Sequence, residues 1–220
     1  KNVSEFLGTF DRMASSLSAS SPSPVKRQED LLGPAAQPPT NEGVDGLFVF
    51  GRGQGVNVGP EDLISASTWG DAATIAAALR NPLTNPNMAD DESGHTALMR
   101  AAQGGHAPAV SVLLADARVD PTLTNGALTA VKYAAQSGHA PVVKLLLADE
   151  RVDVSVASLT GLLTIAVQMG NDAVLTLLLE DGRADPNDGP YTAVKYAALY
   201  DQASIMTLLL ADKRVQAHNV

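Results

Sequence analysis

The residues of this chain that could bind a phosphate are three glycines in the stretch VFGRGQG, residues 49–55. A glycine-rich turn after an apolar run can wrap its backbone amides around a phosphate group. Gly51, Gly53 and Gly55 do not have the spacing of a dinucleotide-binding turn, however, and no Gly-Lys-Ser/Thr sequence follows them. We therefore interpret this stretch as a flexible hinge and keep nucleotide binding as the weaker alternative.

The histidines and carboxylates do not have the spacing of a metal or catalytic site. His106 and His139 occupy the same turn position in two repeated segments, which favours a structural role, whereas His95 and His218 are solitary. No pair has metal-ligand spacing such as i, i+4 on one helix. Four aspartates recur two residues before an arginine, which favours local ion pairs in loops: Asp116, Asp149, Asp181 and Asp212. The sequence has no Cys and predicts no enzyme, no cofactor and no metal.

The composition of the 220 residues favours a protein partner over other classes of ligand. The net charge is −9, which disfavours nucleic acid because phosphate backbones need basic surfaces. No apolar run approaches the roughly 18 residues of a membrane-spanning helix. The chain begins with Lys1, so we expect a processed protein or a fragment. An intracellular location fits, in the cytoplasm or an organelle interior.

A seven-residue sequence, TAVKYAA, occurs at Thr129–Ala135 and again at Thr192–Ala198. It belongs to a longer pattern of apolar helical spacing, a small turn residue, a second apolar helical segment and a polar loop. The turn residues recur every 31–35 positions, at Gly70, Gly105, Gly138, Gly170 and Asp201. One such unit cannot bury its apolar side alone, so neighbouring units must stack.

These units resemble ankyrin repeats, above all in HTALMRAAQGGHAPAVSVLL (95–114) and TAVKYAAQSGHAPVVKLLL (129–147). The resemblance covers about residues 59–218 and implies an all-α solenoid of about five helix-turn-helix repeats. The implied repeats are approximately 59–92, 93–124, 125–156, 157–187 and 188–220. The Pro and His of the family's T-P-L-H start are replaced in this chain, so we expect the hydrogen bonds of that His to be missing.

The residue types explain how such a unit would fold. Thr96, Thr129 and Thr192 are N-cap residues for the first helices. Gly105 and Gly138 would supply a left-handed backbone between the helices. Paired alanines allow close helix packing, and the valine of TAVKYAA faces the core.

In the ankyrin family, the loop tips and the exposed side of the first helices form a groove that binds proteins. Carried over by position, the loop tips are Glu92, Ser93, His95, Asn125, Leu128, Thr160, Asp188 and Tyr191. The first-helix positions are Trp69, Arg100, Gln103, Lys132, Tyr133, Gln136, Met169, Lys195, Tyr196, Leu199 and Tyr200. Clustered aromatics and Met are typical of a protein-binding patch. The alternative is that some of these side chains, such as Tyr133 and Tyr196, only pack between repeats.

Residues 1–58 form a different region, an extended N-terminal tail without a repeat. Positions 4–18 predict a short amphipathic helix, and a Pro/Ser-rich linker follows in 18–43. Its apolar side chains are candidate anchors for a partner: Phe6, Phe10, Met13, Leu17, Phe48 and Phe50.

Two functions fit the whole chain. The first is a non-catalytic scaffold, an assembly or stabilising subunit that binds proteins through the groove and the tail. The alternative is a reversible inhibitor or regulator of an enzyme or signalling protein, switched by phosphorylation at Ser23-Pro24. The last repeat is apolar where a terminal unit is normally polar, so we expect further repeats or another protein to cover it.

Overall fold

The computed structural model describes residues 60–188 and 193–215. These residues fall into two compact units, which we call the first unit (60–153) and the second unit (154–215). Predictions for the tail, for the glycine-rich stretch 51–59, for Tyr191 and for Thr192 lie outside the described residues. The tail predictions concern Phe6, Phe10, Met13, Leu17, Phe48 and Phe50.

The first unit contains three helix pairs, each joined by a tight turn. The pairs are α1 (Pro60–Trp69) with α2 (Ala72–Leu79), α3 (Ala97–Gln103) with α4 (Ala107–Leu114), and α5 (Ala130–Gln136) with α6 (Ala140–Leu147). First helices contact first helices, α1 on α3 and α3 on α5, and second helices do the same from α2 to α4 to α6. A two-stranded antiparallel hairpin, β1 (Thr124–Asn125) and β2 (Leu128–Thr129), precedes α5.

The second unit contains two further pairs. These are α7 (Val156–Met169) with α8 (Asp172–Asp181), and α9 (Ala193–Leu199) with α10 (Ala203–Ala211). Here too α7 contacts α9 and α8 contacts α10. The described residues therefore have the mostly helical, pairwise stacked architecture that the sequence pattern predicts.

The turn inside each pair has a left-handed backbone, as predicted. The φ angle is +73° at Gly105 and +78° at Gly138. Gly70 and Gly170 have the same conformation, at +74° and +70°. The fifth turn uses Asp201 at +54°, since aspartate is among the few side chains that tolerate this region.

The turn glycine is also required because the next pair packs directly against it. A Cβ on Gly105 would lie 2.5 Å from Nδ1 of His139, and one on Gly70 would lie 2.6 Å from His106. The imidazoles are held there by their Nε2 atoms, which lie 3.1 Å from the Gln103 carbonyl and 3.0 Å from the Thr68 carbonyl. The predicted structural role of His106 and His139 is thus confirmed, and it joins neighbouring pairs.

The core between the pairs is built from small and branched side chains. The alanine pairs of α3 and α5 are fully buried, which lets first helices approach closely. Leu146 is fully buried among the second helices, and Val131 and Val194 of the two TAVKYAA copies are also buried. The predicted orientation of that valine is confirmed.

One local prediction was wrong, and one N-cap residue lacks its side-chain bond. Thr160 was predicted at a loop tip, but it lies inside α7 and is only 8% exposed. Ser155 caps that helix by accepting from the Ser158 amide, so α7 starts before the expected first helix and has 14 residues. Thr129 occupies the N-cap position of α5, yet its hydroxyl makes no capping bond and is buried without a partner. Thr96, in contrast, caps Met99 at 3.3 Å.

Replacing glycine at two different turns distinguishes the cost of a strained backbone from the cost of steric overlap. Gly126 in the β1–β2 turn also has positive φ, but a Cβ there meets nothing within 4 Å. We expect Gly126→Ala to lower the free energy of unfolding by about 1–2 kcal/mol, the cost of the left-handed backbone alone.

Gly105→Ala should lower the free energy of unfolding by about 1–3 kcal/mol more, because its methyl group overlaps His139. Urea unfolding of both variants checks this difference. Equal losses would contradict the close packing of His139 on the turn.

Candidate functional site

A polar network occupies the loop tip before α3. Arg100 donates from Nη2 to Asp90 at 3.2 Å and to the Ser93 hydroxyl at 2.7 Å. His95 Nδ1 lies 2.6 Å from the same hydroxyl. Asn125, from the next hairpin, donates to the Ser93 carbonyl at 2.7 Å. The network therefore fixes the loop and links it to the following pair.

This network brings Ser, His and Asp together without the geometry of a catalytic triad. In a triad the carboxylate orients the imidazole, which then takes the proton of the serine. Here both the Asp90 carboxylate and His95 contact the Ser93 hydroxyl, and the hydrogen bond between Asp90 and His95 joins their backbones, from the Asp90 amide to the His95 carbonyl at 2.9 Å, rather than carboxylate and imidazole. The arrangement can hold a loop, but it has no relay from serine through histidine to aspartate.

The charges of the loop tip follow from these contacts. Burial raises the pKa of Asp90, but hydrogen bonds from Ser93 and the charge of Arg100 outweigh it and lower the pKa to about 2. Burial, with a smaller effect of the Arg100 charge, lowers the pKa of His95 below its usual 6.5. Asp90 is thus ionised and His95 neutral at neutral pH.

The other predicted residues of the first unit differ in exposure. Trp69 is 44% exposed at the end of α1, and Glu92 is exposed at the loop tip. Lys132 donates to the Ala127 carbonyl at 3.0 Å, so its ammonium group helps to hold the hairpin. Other side chains are half-buried: Gln103, Leu128 and Gln136. Their role in binding stays a prediction.

Tyr133 does not belong to an open surface. Its side chain is only 9% exposed, and its ring centroid lies 4.9 Å from that of His95. The imidazole comes from the preceding loop tip and covers the ring. Tyr133 therefore contributes mainly to packing, which is the alternative that the sequence left open.

The second unit carries an apolar and aromatic face, which we call the α7–α9 face: Met169, Lys195, Tyr196, Leu199 and Tyr200. Lys195 is exposed and the other four are half-buried. The rings of Tyr196 and Tyr200 are stacked, with centroids 6.2 Å apart and planes inclined by 4°. Neighbouring α7 has no charged residue in its 14 positions.

A second structural group recurs after the second helices, which we call the Asp-x-Arg clamp. In each of four loops the aspartate pairs with the arginine two residues later, at 2.7 Å for Asp116–Arg118 and 2.6 Å for Asp149–Arg151. The pairs Asp181–Arg183 and Asp212–Arg214 are also 2.6 Å apart. The arginine side-chain hydrogen bond is the largest cause of the lowered pKa of each aspartate. The predicted local ion pairs are confirmed.

Three of these arginines also reach the preceding helix pair. Arg118 donates to the Leu79 carbonyl at 2.6 Å, Arg151 to the Leu114 carbonyl at 2.8 Å and Arg214 to the Leu179 carbonyl at 2.8 Å. Each guanidinium thereby covers the last carbonyls of a helix, which have no intrahelical partner. Sequence reasoning missed this contact, although the recurrence of arginine at one position in four loops was a signal for it.

The described residues offer little for small-molecule or metal chemistry. A shallow hollow between α8 and α10 has a volume of about 220 Å³, below the roughly 300–1,000 Å³ of typical ligand pockets. No group of three His, Asp or Glu side chains suited to a metal lies within the described ranges. None of the helices described is both long and apolar enough to cross a membrane.

Comparison with known families agrees with the stacked pairs. The family model for ankyrin repeats, in three copies, matches residues 63–158. Residues 63–158 are ankyrin repeats. A search of curated proteins finds no significant match to the chain. Ankyrin repeats generally mediate protein–protein interactions and are typically not enzymes, so protein partners are implied for this chain.

The clamp should stabilise the ankyrin array measurably. Arg151→Gln removes the bonds from the guanidinium to Asp149 and to the Leu114, Asp116 and Val119 carbonyls. We expect the free energy of unfolding in urea to fall by about 1–3 kcal/mol, as for other bonds to a charged group. Lys144→Gln, at an exposed position on α6, is the control and should change it by less than about 0.5 kcal/mol. Similar small effects of both variants would mean that the clamp is not stabilising.

The repeat domain should lose stability on mild acidification. Burial lowers the pKa of His139 below its usual 6.5, and the same holds for His95. As the pH falls through about 6.5, the unfolded chain takes up protons that the folded state does not, so stability falls until the pH passes the folded pKa.

We expect His139→Gln to reduce the loss of unfolding free energy between about pH 7.5 and 5.5, because glutamine does not titrate. Gln202 packs against Gly170 as His139 packs against Gly105, so the substitution has a precedent in this chain. Unfolding curves at several pH values test this. An unchanged pH dependence would exclude His139 as a cause.

Proposed function

We propose that the chain is a non-catalytic interaction protein, an assembly or stabilising subunit of a larger complex. It binds one partner protein on its first-helix faces, while the N-terminal tail with Phe6, Phe10, Met13 and Leu17 binds another surface. Its repeats are the five helix pairs, including α9–α10 beyond the matched residues.

The observation that carries this proposal is the α7–α9 face. Protein-binding surfaces are enriched in Tyr and Met and depleted of charge at their centre. The α7–α9 face combines a stacked tyrosine pair with Met169 and Leu199 beside an uncharged helix, and Lys195 is its only cation. A stacked pair of rings offers a rigid contact area at small cost in side-chain entropy.

Charge reversal on this face tests the proposal. The protein is purified from its native source with its partners, and the partner is identified by cross-linking to the α7–α9 face. We expect Lys195→Glu combined with Tyr200→Ala to lower the affinity for that partner at least about tenfold, or about 1.4 kcal/mol.

The matched control is Lys144→Glu combined with Leu145→Ala, on the second-helix layer of the first unit. Both variants should stay folded by circular dichroism. Equal binding by the two variants would overturn the assignment of the α7–α9 face.

The assembly role also predicts that the complex has a fixed stoichiometry. An assembly subunit remains in a complex of fixed stoichiometry through size-exclusion chromatography, whereas a reversible regulator dissociates on dilution. If the purified partner is an enzyme that this chain inhibits and releases, the regulator alternative replaces the scaffold proposal.

A further inference from the structure

The turn before α5 contains the only Asn-Gly dipeptide among the 220 residues, Asn125-Gly126. Asn125 is the last residue of β1, and its pairing with Leu128 leaves Gly126 and Ala127 as the two residues of the turn. Asparagine is a chemically labile side chain. When glycine follows it, the glycine nitrogen can attack the side-chain carbonyl carbon, because no Cβ on the glycine hinders the approach. The hairpin therefore contains the two reacting groups of a deamidation side by side.

Gly126 carries the nucleophile of this reaction, its backbone nitrogen, in an accessible position. Both Gly126 and Ala127 are exposed. A Cβ placed on Gly126 would meet nothing within 4 Å among the described residues. No hydrogen bond donated by the Gly126 amide is recorded within the described ranges. The nitrogen is therefore not withheld from the reaction by a hydrogen bond or by packing.

The second reacting group, the Asn125 side-chain amide, is held by the preceding loop tip. Its Nδ2 atom donates to the Ser93 carbonyl at 2.7 Å and lies 3.4 Å from Nδ1 of His95. Ser93 is itself fixed, since its amide and hydroxyl donate to the Asp90 carboxylate and Arg100 donates to its hydroxyl at 2.7 Å. This anchoring restricts rotation of the Asn125 side chain. It should slow the reaction, because the carbonyl carbon must reach a near-attack geometry with the glycine nitrogen.

We propose that Asn125 is a deamidation site, and that the loop tip before α3 sets the rate at which it is modified. The Gly126 nitrogen bonds to the side-chain carbonyl carbon of Asn125, and its proton leaves with Nδ2 as ammonia. Water then opens the resulting succinimide ring. Hydrolysis at the side-chain carbonyl gives aspartate, and hydrolysis at the main-chain carbonyl gives isoaspartate. Water is the only co-reactant, and nothing is oxidised or reduced.

Both products break the hydrogen bond between neighbouring repeats. A carboxylate has no N–H group, so it cannot donate to the Ser93 carbonyl. Isoaspartate also adds a methylene group to the main chain where β1 pairs with β2, at Asn125 and Leu128. Modification therefore separates the hairpin from the preceding loop tip and changes the loop-tip surface with time. This site does not depend on the function proposed for the α7–α9 face.

The same chain contains asparagines that serve as internal controls. Asn87 resembles Asn125, because its Nδ2 donates at 2.7 Å to a carbonyl of a neighbouring loop, that of Arg118. Met88 follows it, however, and its side chain hinders the attack. Asn81 precedes proline, whose nitrogen carries no proton to lose. Asn87 should therefore be modified much more slowly than Asn125, and Asn81 should not undergo this reaction.

Ageing of the purified full chain at mildly alkaline pH tests the site. Peptides from samples taken over time are mapped by mass spectrometry, and isoaspartate is detected by methylation with an isoaspartyl methyltransferase. We expect Asn125 to be converted at least about tenfold faster than Asn87. Gly126→Ala should slow the conversion at least about tenfold, since the added Cβ hinders the attack. No conversion at Asn125, or equal rates at Asn125 and Asn87, would overturn the proposal.

Control of the rate by the loop tip is tested with a separate variant. Arg100→Gln removes the guanidinium bonds of the loop tip and should speed conversion of Asn125 at least about threefold. Gly105→Ala is the matched control, because we expect it to destabilise the first unit at a turn outside this network and to leave the rate unchanged. Circular dichroism checks that both variants are folded.

A peptide of residues 120–131 gives a second comparison that does not require a folded variant. It should be converted faster than Asn125 in the intact chain, because the peptide lacks the loop tip. Equal rates in the peptide and the intact chain, or an Arg100→Gln rate no higher than that of Gly105→Ala, would overturn the role of the loop tip.

Asn125→Asp places the aspartate product in the fold and tests its consequence. We expect amide hydrogen exchange of residues 90–95 and 125–128 to become at least about tenfold faster, because the bond between the two loops is lost. The amides of α6 in the same molecule are the control and should exchange at an unchanged rate. Unchanged exchange in both loops would contradict the separation of neighbouring repeats.

Discussion

The constraint on which this structure depends is that no helix pair can bury its apolar side without the next pair. Neighbouring pairs make three kinds of contact, at the first helices, at the turns and at the ends of the second helices. Alanine side chains allow first helices to touch, imidazole or amide side chains pack on the turn glycines, and the clamp arginines cover the carbonyls of the preceding second helix. Each contact joins residues about one repeat apart, so stability accumulates along the array rather than in a central core.

The clamp arginines Arg118, Arg151 and Arg214 each bind the helix pair that precedes their own. The guanidinium of Arg151 donates both to Asp149 in its own loop and to the Leu114 carbonyl of the preceding pair, so the aspartate helps to hold it at that contact. The first described pair has Leu83 at the position of the clamp arginine, and this side chain is 90% exposed.

Much of the fold could be predicted from the sequence because its signals are local. Each of these signals involves residues only a few positions apart in the sequence. The turn glycines have positive φ, the paired alanines of α3 and α5 are buried, and the aspartates pair with the arginines two residues later. The early start of α7 could not be predicted in this way. Its N-terminal residues replace a hairpin with a helix capped by Ser155, and the repeat pattern indicated a loop at this point.

The two copies of TAVKYAA show which properties the sequence determines and which depend on tertiary structure. Sequence alone determined that both form the first helix of a pair, with the valine buried and the alanines close to a neighbour. Tertiary structure decided the environment of the tyrosine. Tyr133 is covered by His95, while Tyr196 stacks on Tyr200 in the α7–α9 face. The physical reason is that burial depends on residues one repeat away, where the position of His95 is taken by Thr160 inside α7.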